Sequence, residues 1–240
     1  MLQIMMYHRV GEGKHSNSFD MMQNHLDYIA KTFPTVLPGD DFRRGKRSVC
    51  LTFDDASYDF YVYVYPLLRK FNLRALLAVP TQYITETTNQ SAETRLSVPY
   101  FEAMNNEVYA EKAPFCTWEE LREMLASGHV ELASHGHRHV NMTNKVDVEG
   151  ELRLSKELLE DHTRQFISSF VYPFGRANKK VHAEVMKHYA YGMRIGGAMN
   201  RSWDCLQTPL CRIVGDNLSK PKEPFLMMQI GAAYLKSFVR

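Results

Sequence analysis

Seven short apolar runs alternate with amphipathic stretches along this 240-residue chain, and no other feature narrows its fold as much. Strands are expected over residues 2–7, 49–53, 74–79, 130–134, 167–172, 191–195 and 210–214. Helical periodicity fills residues 19–31, 58–70, 117–126, 148–165, 179–189 and 224–238. Thr117-Trp-Glu-Glu has the pattern of a capping box, and Pro224 sits where a first helical residue tolerates it. Strand alternating with helix requires parallel strands joined by crossovers, and seven such units suit a closed (β/α) barrel better than an open sheet. No Pro/Gly/Ser-rich linker or charge run divides the chain, and at 45% hydrophobic it can fill one large core, so residues 1–240 read as a single domain.

Barrels of this kind carry their chemistry at the C-terminal ends of the strands. Polar clusters fall at four such ends: Tyr7-His8, Asp54-Asp55, the histidines of "SHGHRH" at 134–139, and Tyr172-Pro-Phe-Gly. Residues 81–116 fit no strand–helix unit; this long, polar, aromatic-bearing insertion reads as a lid or substrate wall, a merely solvated excursion being the alternative. The methionine-rich "FLMMQIGAAYL" at 225–235 reads as an amphipathic closing helix packed on the barrel rather than a membrane contact.

In "LTFDDAS", residues 51–57, two adjacent carboxylates repel one another unless a cation or proton compensates. At a bend their side chains diverge, so one can bind a metal while the other faces water; a pair of helix N-terminal acids is the alternative. Two imidazoles and one carboxylate form a facial set that leaves positions on a divalent ion open. A continued strand would put His135, His137 and His139 on one face, whereas a helical turn at Gly136 would align His135 with His139; a glycine directly after the strand favours the turn.

Composition excludes several partners. A net charge of +2, with the basic residues dispersed, argues against nucleic acid. No run approaches about 18 apolar residues, so no transmembrane segment is expected. The N-terminus lacks the marks of a signal peptide, which implies a cytoplasmic protein as written, exported or membrane-associated if an export signal has been removed. Cys50, Cys116, Cys205 and Cys211 form no Cys-x-x-Cys pair and are expected as free thiols. Trp118 is expected in the core, and Trp203 either there or stacked on a ligand ring.

"TFDD" at 52–55, "SHGHRH" at 134–139 and "FVYPFG" at 170–175, in that order, resemble the polysaccharide deacetylases of the NodB homology type, carbohydrate esterase family 4. "IMMYHRV" at 4–10, "LRKFNLRALLAV" at 68–79, "TWEELREMLASGHVELASH" at 117–135 and "PLCRIVGD" at 209–216 are similar to the branch that includes poly-N-acetylglucosamine deacetylases. The resemblance covers nearly the whole chain. It implies a distorted (β/α)7 barrel that hydrolyses N-acetyl groups on a glycan or glycolipid, with one divalent metal ion, zinc first and cobalt or nickel as substitutes.

By the same resemblance Asp55, His135 and His139 bind the metal, Asp54 is the general base, and the Phe174 backbone N–H helps stabilise the oxyanion. The acid that most of the family carries near the C-terminus has no counterpart after His188, and in the branch resembled it maps onto Tyr7-His8, making His8 the candidate acid. The usual glycine after the paired aspartates is Ala56, harmless if that residue has negative φ. The arginine that normally orients the base is replaced around Val171; Arg212 or Asp216 at the last strand end can take over, core or surface pairing being the alternative. Tyr172, Arg212 and Asp216 are the candidate substrate contacts. Two other readings are a hydrolase of a different amide, a formylated sugar or cyclic ureide, and a catalytically weak glycan-binding protein; a substrate panel separates the first, and binding without acetate release the second.

Overall fold

The computed structural model describes residues 1–42, 45–226 and 231. In chain order its elements are β1 (Leu2–Tyr7), β2 (Arg9–Val10), β3 (Ser16–Asn17), α1 (Phe19–Thr32), β4 (Ser48–Phe53), α2 (Tyr65–Phe71) and β5 (Ala75–Val79), followed by α3 (Ala92–Leu96) and α4 (Asn106–Lys112) in the insertion. The second half holds α5 (Trp118–Ala126), β6 (Val130–Ser134), α6 (Val148–Thr163), β7 (Ser169–Val171), α7 (Lys179–His188), β8 (Tyr191–Ile195) and β9 (Leu210–Val214). Seven strands close a parallel barrel in the order β1-β4-β5-β6-β7-β8-β9, with β9 returning to β1, while β2 and β3 pair separately.

Alternation along each strand sorts the core into two layers. Leu2, Ile4, Cys50, Leu76, Ala78, Ala133, Val171, Met193 and Leu210 fill the interior, and Thr52, Asp54 and Arg212 continue that inward face toward the C-terminal rim. Met5, Val49, Leu51, Ala75, Leu77 and Val79 face out and meet the helices. Helix α1 shows how the pairing arises. Ser18 caps it by accepting from the Met21 N–H, and Met22, Leu26 and Ile29 bury one stripe. Residues 117–120 form the expected capping box. The barrel is thinnest between β6 and β7, which share only the pair Ser134 and Phe170.

The helix expected over 58–70 is not uniform. Residues Phe60–Val64 are wound as a π-turn, with the Tyr65 N–H on the Phe60 carbonyl, before α2 begins. Pro66 has no N–H to offer residue 62, and its ring crowds that carbonyl, so the chain widens upstream. The closing helix expected over 224–238 falls outside the described residues except at its start, where Glu223–Phe225 make a single 3-10 turn. Among the described residues no helix is long and apolar enough to cross a membrane. All four cysteines are buried, and no disulfide joins them among the described residues.

The insertion is fastened down rather than loose. Arg95, 4% exposed, forms a two-pronged ion pair with Glu120 at 2.7 and 2.8 Å. It also donates to the Ala113 and Phe115 carbonyls and stacks over Tyr58. Arg95→Met would strand a mostly buried carboxylate and two carbonyls, so a loss of about 3–5 kcal/mol is expected in urea unfolding. A loss below about 1 kcal/mol, the scale of an exposed pair, would mean that the insertion does not depend on this anchor.

Candidate active site

The strand ends deliver the site. Asp54 and Asp55 follow β4, His135 follows β6, and Gly136 at φ +75° turns the chain so that His139 comes back beside His135, their ring centroids 4.8 Å apart. His137 leaves the cluster, its Nδ1 lying 3.0 Å from the Thr81 hydroxyl. The turn is shaped by Glu151 of α6, a buried carboxylate that accepts the His137 and Arg138 N–H groups at 3.0 and 2.9 Å. Sequence periodicity gave Glu151 no marked role; a buried acid on the apolar stripe of a helix was the available signal.

One ligand atom from each of Asp55, His135 and His139 lies within 4.8 Å of the others. Asp55 Oδ1 stands 3.5 Å from His135 Nε2 and 3.4 Å from His139 Nε2, buried and without a hydrogen-bond partner among the described residues. Its other oxygen accepts from the Tyr100 hydroxyl at 3.0 Å. His135 Nδ1 is 2.7 Å from the Val171 carbonyl, which can only accept, so the proton is on Nδ1 and the Nε2 lone pair points at Asp55. Burial, with His139 adding to it against the nearby Asp54 and Asp55, lowers His135 to about 4 and keeps it neutral. An orphaned carboxylate oxygen facing an imidazole lone pair and a second ring nitrogen fits a divalent cation.

Asp54 lies beside this cluster, with Arg212 across the barrel. The guanidinium donates to both carboxylate oxygens at 2.6 and 2.8 Å and to Thr52 Oγ1 at 3.1 Å. Burial alone would raise the Asp54 carboxyl, but Arg212, His135 and His8 together hold it well below the usual carboxylate range. The two aspartates are therefore not helix caps. Of Arg212 and Asp216, it is Arg212 that contacts Asp54.

Asp216 instead serves His8. Its Oδ2 accepts from His8 Nδ1 at 2.6 Å and its Oδ1 from the His8 backbone N–H at 3.0 Å, leaving His8 Nε2 3.8 Å from Asp54 Oδ2. Burial would lower His8, but the Asp216 hydrogen bond and the charges of Asp54, Asp55 and Asp216 raise it to about 9.

Several expectations are corrected. Tyr172 does not line the cavity: it is fully buried, with its hydroxyl 2.6 Å from His182 Nδ1. Arg212 and Asp216 are likewise buried pairing partners and do not line the cavity. Ala56 has φ +51° and follows Asp55 at +69°, so the missing glycine is not harmless; a left-handed residue with a Cβ costs about 1–2 kcal/mol. Trp118 is buried as expected, and Trp203 donates to the Asp40 carbonyl away from the cavity.

Phe174 has φ +58°, and the turn's hydrogen bonds are donated by Gly175 and Arg176, so neither uses the Phe174 N–H. A cavity of about 600 Å3 collects these groups together with Tyr100, Phe101, Met104 and Phe115 of the insertion, which is thus a wall of the site. The sequence marked the insertion but not Tyr100, since nothing local distinguishes it from the neighbouring aromatics.

The family model described as polysaccharide deacetylase matches residues 42–193. Poly-beta-1,6-N-acetyl-D-glucosamine N-deacetylase of Escherichia coli strain K12 is 31% identical over 90 residues, which take in 38% of this chain but only 12% of that protein's length. IcaB from Ammonifex degensii superposes with a TM-score of 0.74 at 18% identity, over 98% of this chain and 97% of that one. Streptococcus pyogenes deacetylase PplD in complex with acetate gives 0.74 at 20% identity, over 93% and 96%. At those identities the structural likeness speaks for the fold.

Proposed function

Because the chain belongs to the polysaccharide deacetylase family, we propose that it is a metal-dependent hydrolase removing N-acetyl groups from N-acetylglucosamine-type amino sugars in a polysaccharide, oligosaccharide or glycolipid. The observation that carries this reading is the unpartnered Asp55 Oδ1 facing His135 and His139, with an ionised carboxylate on one side and a protonated imidazole near it. Asp55, His135 and His139 hold one divalent ion, zinc before cobalt or nickel. When bound, that ion supplies Lewis-acid polarisation of the amide carbonyl and acidification of the attacking water.

The remaining work falls to the chain's own side chains. Asp54 Oδ2 accepts the proton of the attacking water, held in place and kept ionised by Arg212. The Phe174 N–H meets the negative charge that develops on the carbonyl oxygen. His8 Nε2 donates a proton to the departing sugar nitrogen, with Asp216 fixing its Nδ1–H and its orientation. Tyr100, Phe101 and Phe174 offer ring faces to a sugar at the mouth of the cavity.

The reading is tested by acetate release from N-acetylglucosamine oligomers, using protein stripped of metal and reloaded with zinc, cobalt or nickel. Release that returns with metal and is lost in His135→Ala is expected. Full activity after stripping would remove the metal from the reaction, and stoichiometric metal binding with no release would turn attention to formylated sugars and other amides.

Asp216→Asn should leave its mark on pH dependence. An acid raised toward 9 stays protonated below that pH, so the alkaline fall in kcat/KM belongs to His8. Loss of the Asp216 charge lowers His8, so the alkaline limb is expected to move to lower pH. An unmoved limb would show that His8 is not the group titrating there.

A further inference from the structure

Around His8 and its partner Asp216 there is a second set of ligand atoms. One atom from each of His8, His15 and Asp216 lies within 4.8 Å of the others, two imidazoles and a carboxylate again. The His8 and His15 rings are 5.2 Å apart, and neither ring nitrogen of His15 has a hydrogen-bond partner among the described residues. Nor is His15 placed there at ease. Its φ is +58°, held by the loop between β2 and β3, where its carbonyl accepts from the Arg9 N–H at 3.0 Å. Strained non-glycine backbone persists where the surroundings over-determine it, and such positions gather at functional sites.

We propose that His8, His15 and Asp216 form a second divalent-cation site, and that filling it suspends the acid function of His8. Nitrogen–nitrogen–oxygen donors suit zinc or a neighbouring transition ion rather than magnesium or calcium. Binding replaces the proton that His8 Nδ1 shares with Asp216: that proton leaves to solvent, and the Nδ1 lone pair goes to the ion. His8 then keeps a proton on Nε2, but on a neutral ring, a far weaker acid than the imidazolium. This second step rests on the deacetylase reading; the site itself does not. The His8–Asp216 hydrogen bond must break first, whereas Asp55 Oδ1 stands open, so the second ion binds more weakly than the first.

Equilibrium dialysis of metal-stripped protein against zinc chloride, with zinc counted by mass spectrometry, tests the site without reference to activity. Two equivalents are expected, the weaker one lost or weakened more than about tenfold in His15→Ala, the tighter one lost in His135→Ala. A single equivalent in the wild type, or a second one indifferent to His15→Ala, would overturn the site. Acetate release measured across the same zinc series tests the switch. A fall as the second equivalent fills, absent in His15→Ala relative to its own one-equivalent rate, supports it; an unchanged rate with both ions bound overturns it. No release at any zinc level, with two equivalents bound, would overturn the deacetylase reading and leave the site standing.

Discussion

Asp54→Asn protein is expected to retain its metal but release acetate about 10²- to 10⁴-fold more slowly, the usual contribution of a positioned general base. Asp54 is not among the three residues, Asp55, His135 and His139, whose ligand atoms converge, so the metal content should survive. Asparagine keeps one acceptor for Arg212 but loses the charge and the capacity to take a proton. Its amide nitrogen faces a second donor of the guanidinium, and some stability is lost as well. Metal analysis, thermal unfolding and initial rates on one preparation separate these effects. If the variant turns over at a rate close to wild type, the proton goes elsewhere and Asp54 has only a structural part.

Removing Arg212 should be felt chiefly in stability. The guanidinium is 1% exposed and grips a carboxylate 3% exposed, so Arg212→Met leaves an uncompensated buried charge, a change that costs about 3–5 kcal/mol. The sign with pH follows from Asp54. Its folded value lies below the unfolded value near 3.9, so the pair contributes stability that is full above that pH and is lost as pH falls through the lower folded value. Without Arg212 the leading influence is burial, which pushes the carboxyl up. The stability gap between wild type and variant should therefore be larger at neutral pH than at about pH 3, narrowing from the variant's raised carboxyl value downward. Urea unfolding at the two pH values measures it, and a gap that widens in acid would contradict the assignment of Arg212 as the group that keeps Asp54 ionised.

Much of this arrangement is written in local pattern. Alternation of period two in the strands and near 3.6 in the helices decides which side chains meet the core, and four of the seven barrel strands begin and end at the residues expected from the pattern. Strand ends then mark His8, Asp54, Asp55 and the 135–139 turn as neighbours on one rim. A conformational detail escaped the same reading. Ala56 is left-handed on the path from β4 into the π-turn, where its carbonyl accepts from the Cys116 N–H at the end of the insertion, a long-range contact that local pattern does not encode.

Sequence by itself determined the barrel and the rim, because periodicity and strand termination are local properties of the chain. Tertiary structure alone decided who serves whom there. Arg212 meets Asp54 from 158 positions away and Asp216 meets His8 from 208, pairings that exist only once β9 closes on β1 in its observed register. A one-residue slip of β9 would turn Arg212 from the interior to the helix layer and leave Asp54 buried without a partner. Tyr100 reaches Asp55 because Arg95 and Glu120 pin the insertion that carries it. Closure and long-range packing assign these contacts, and no spacing along the chain encodes them.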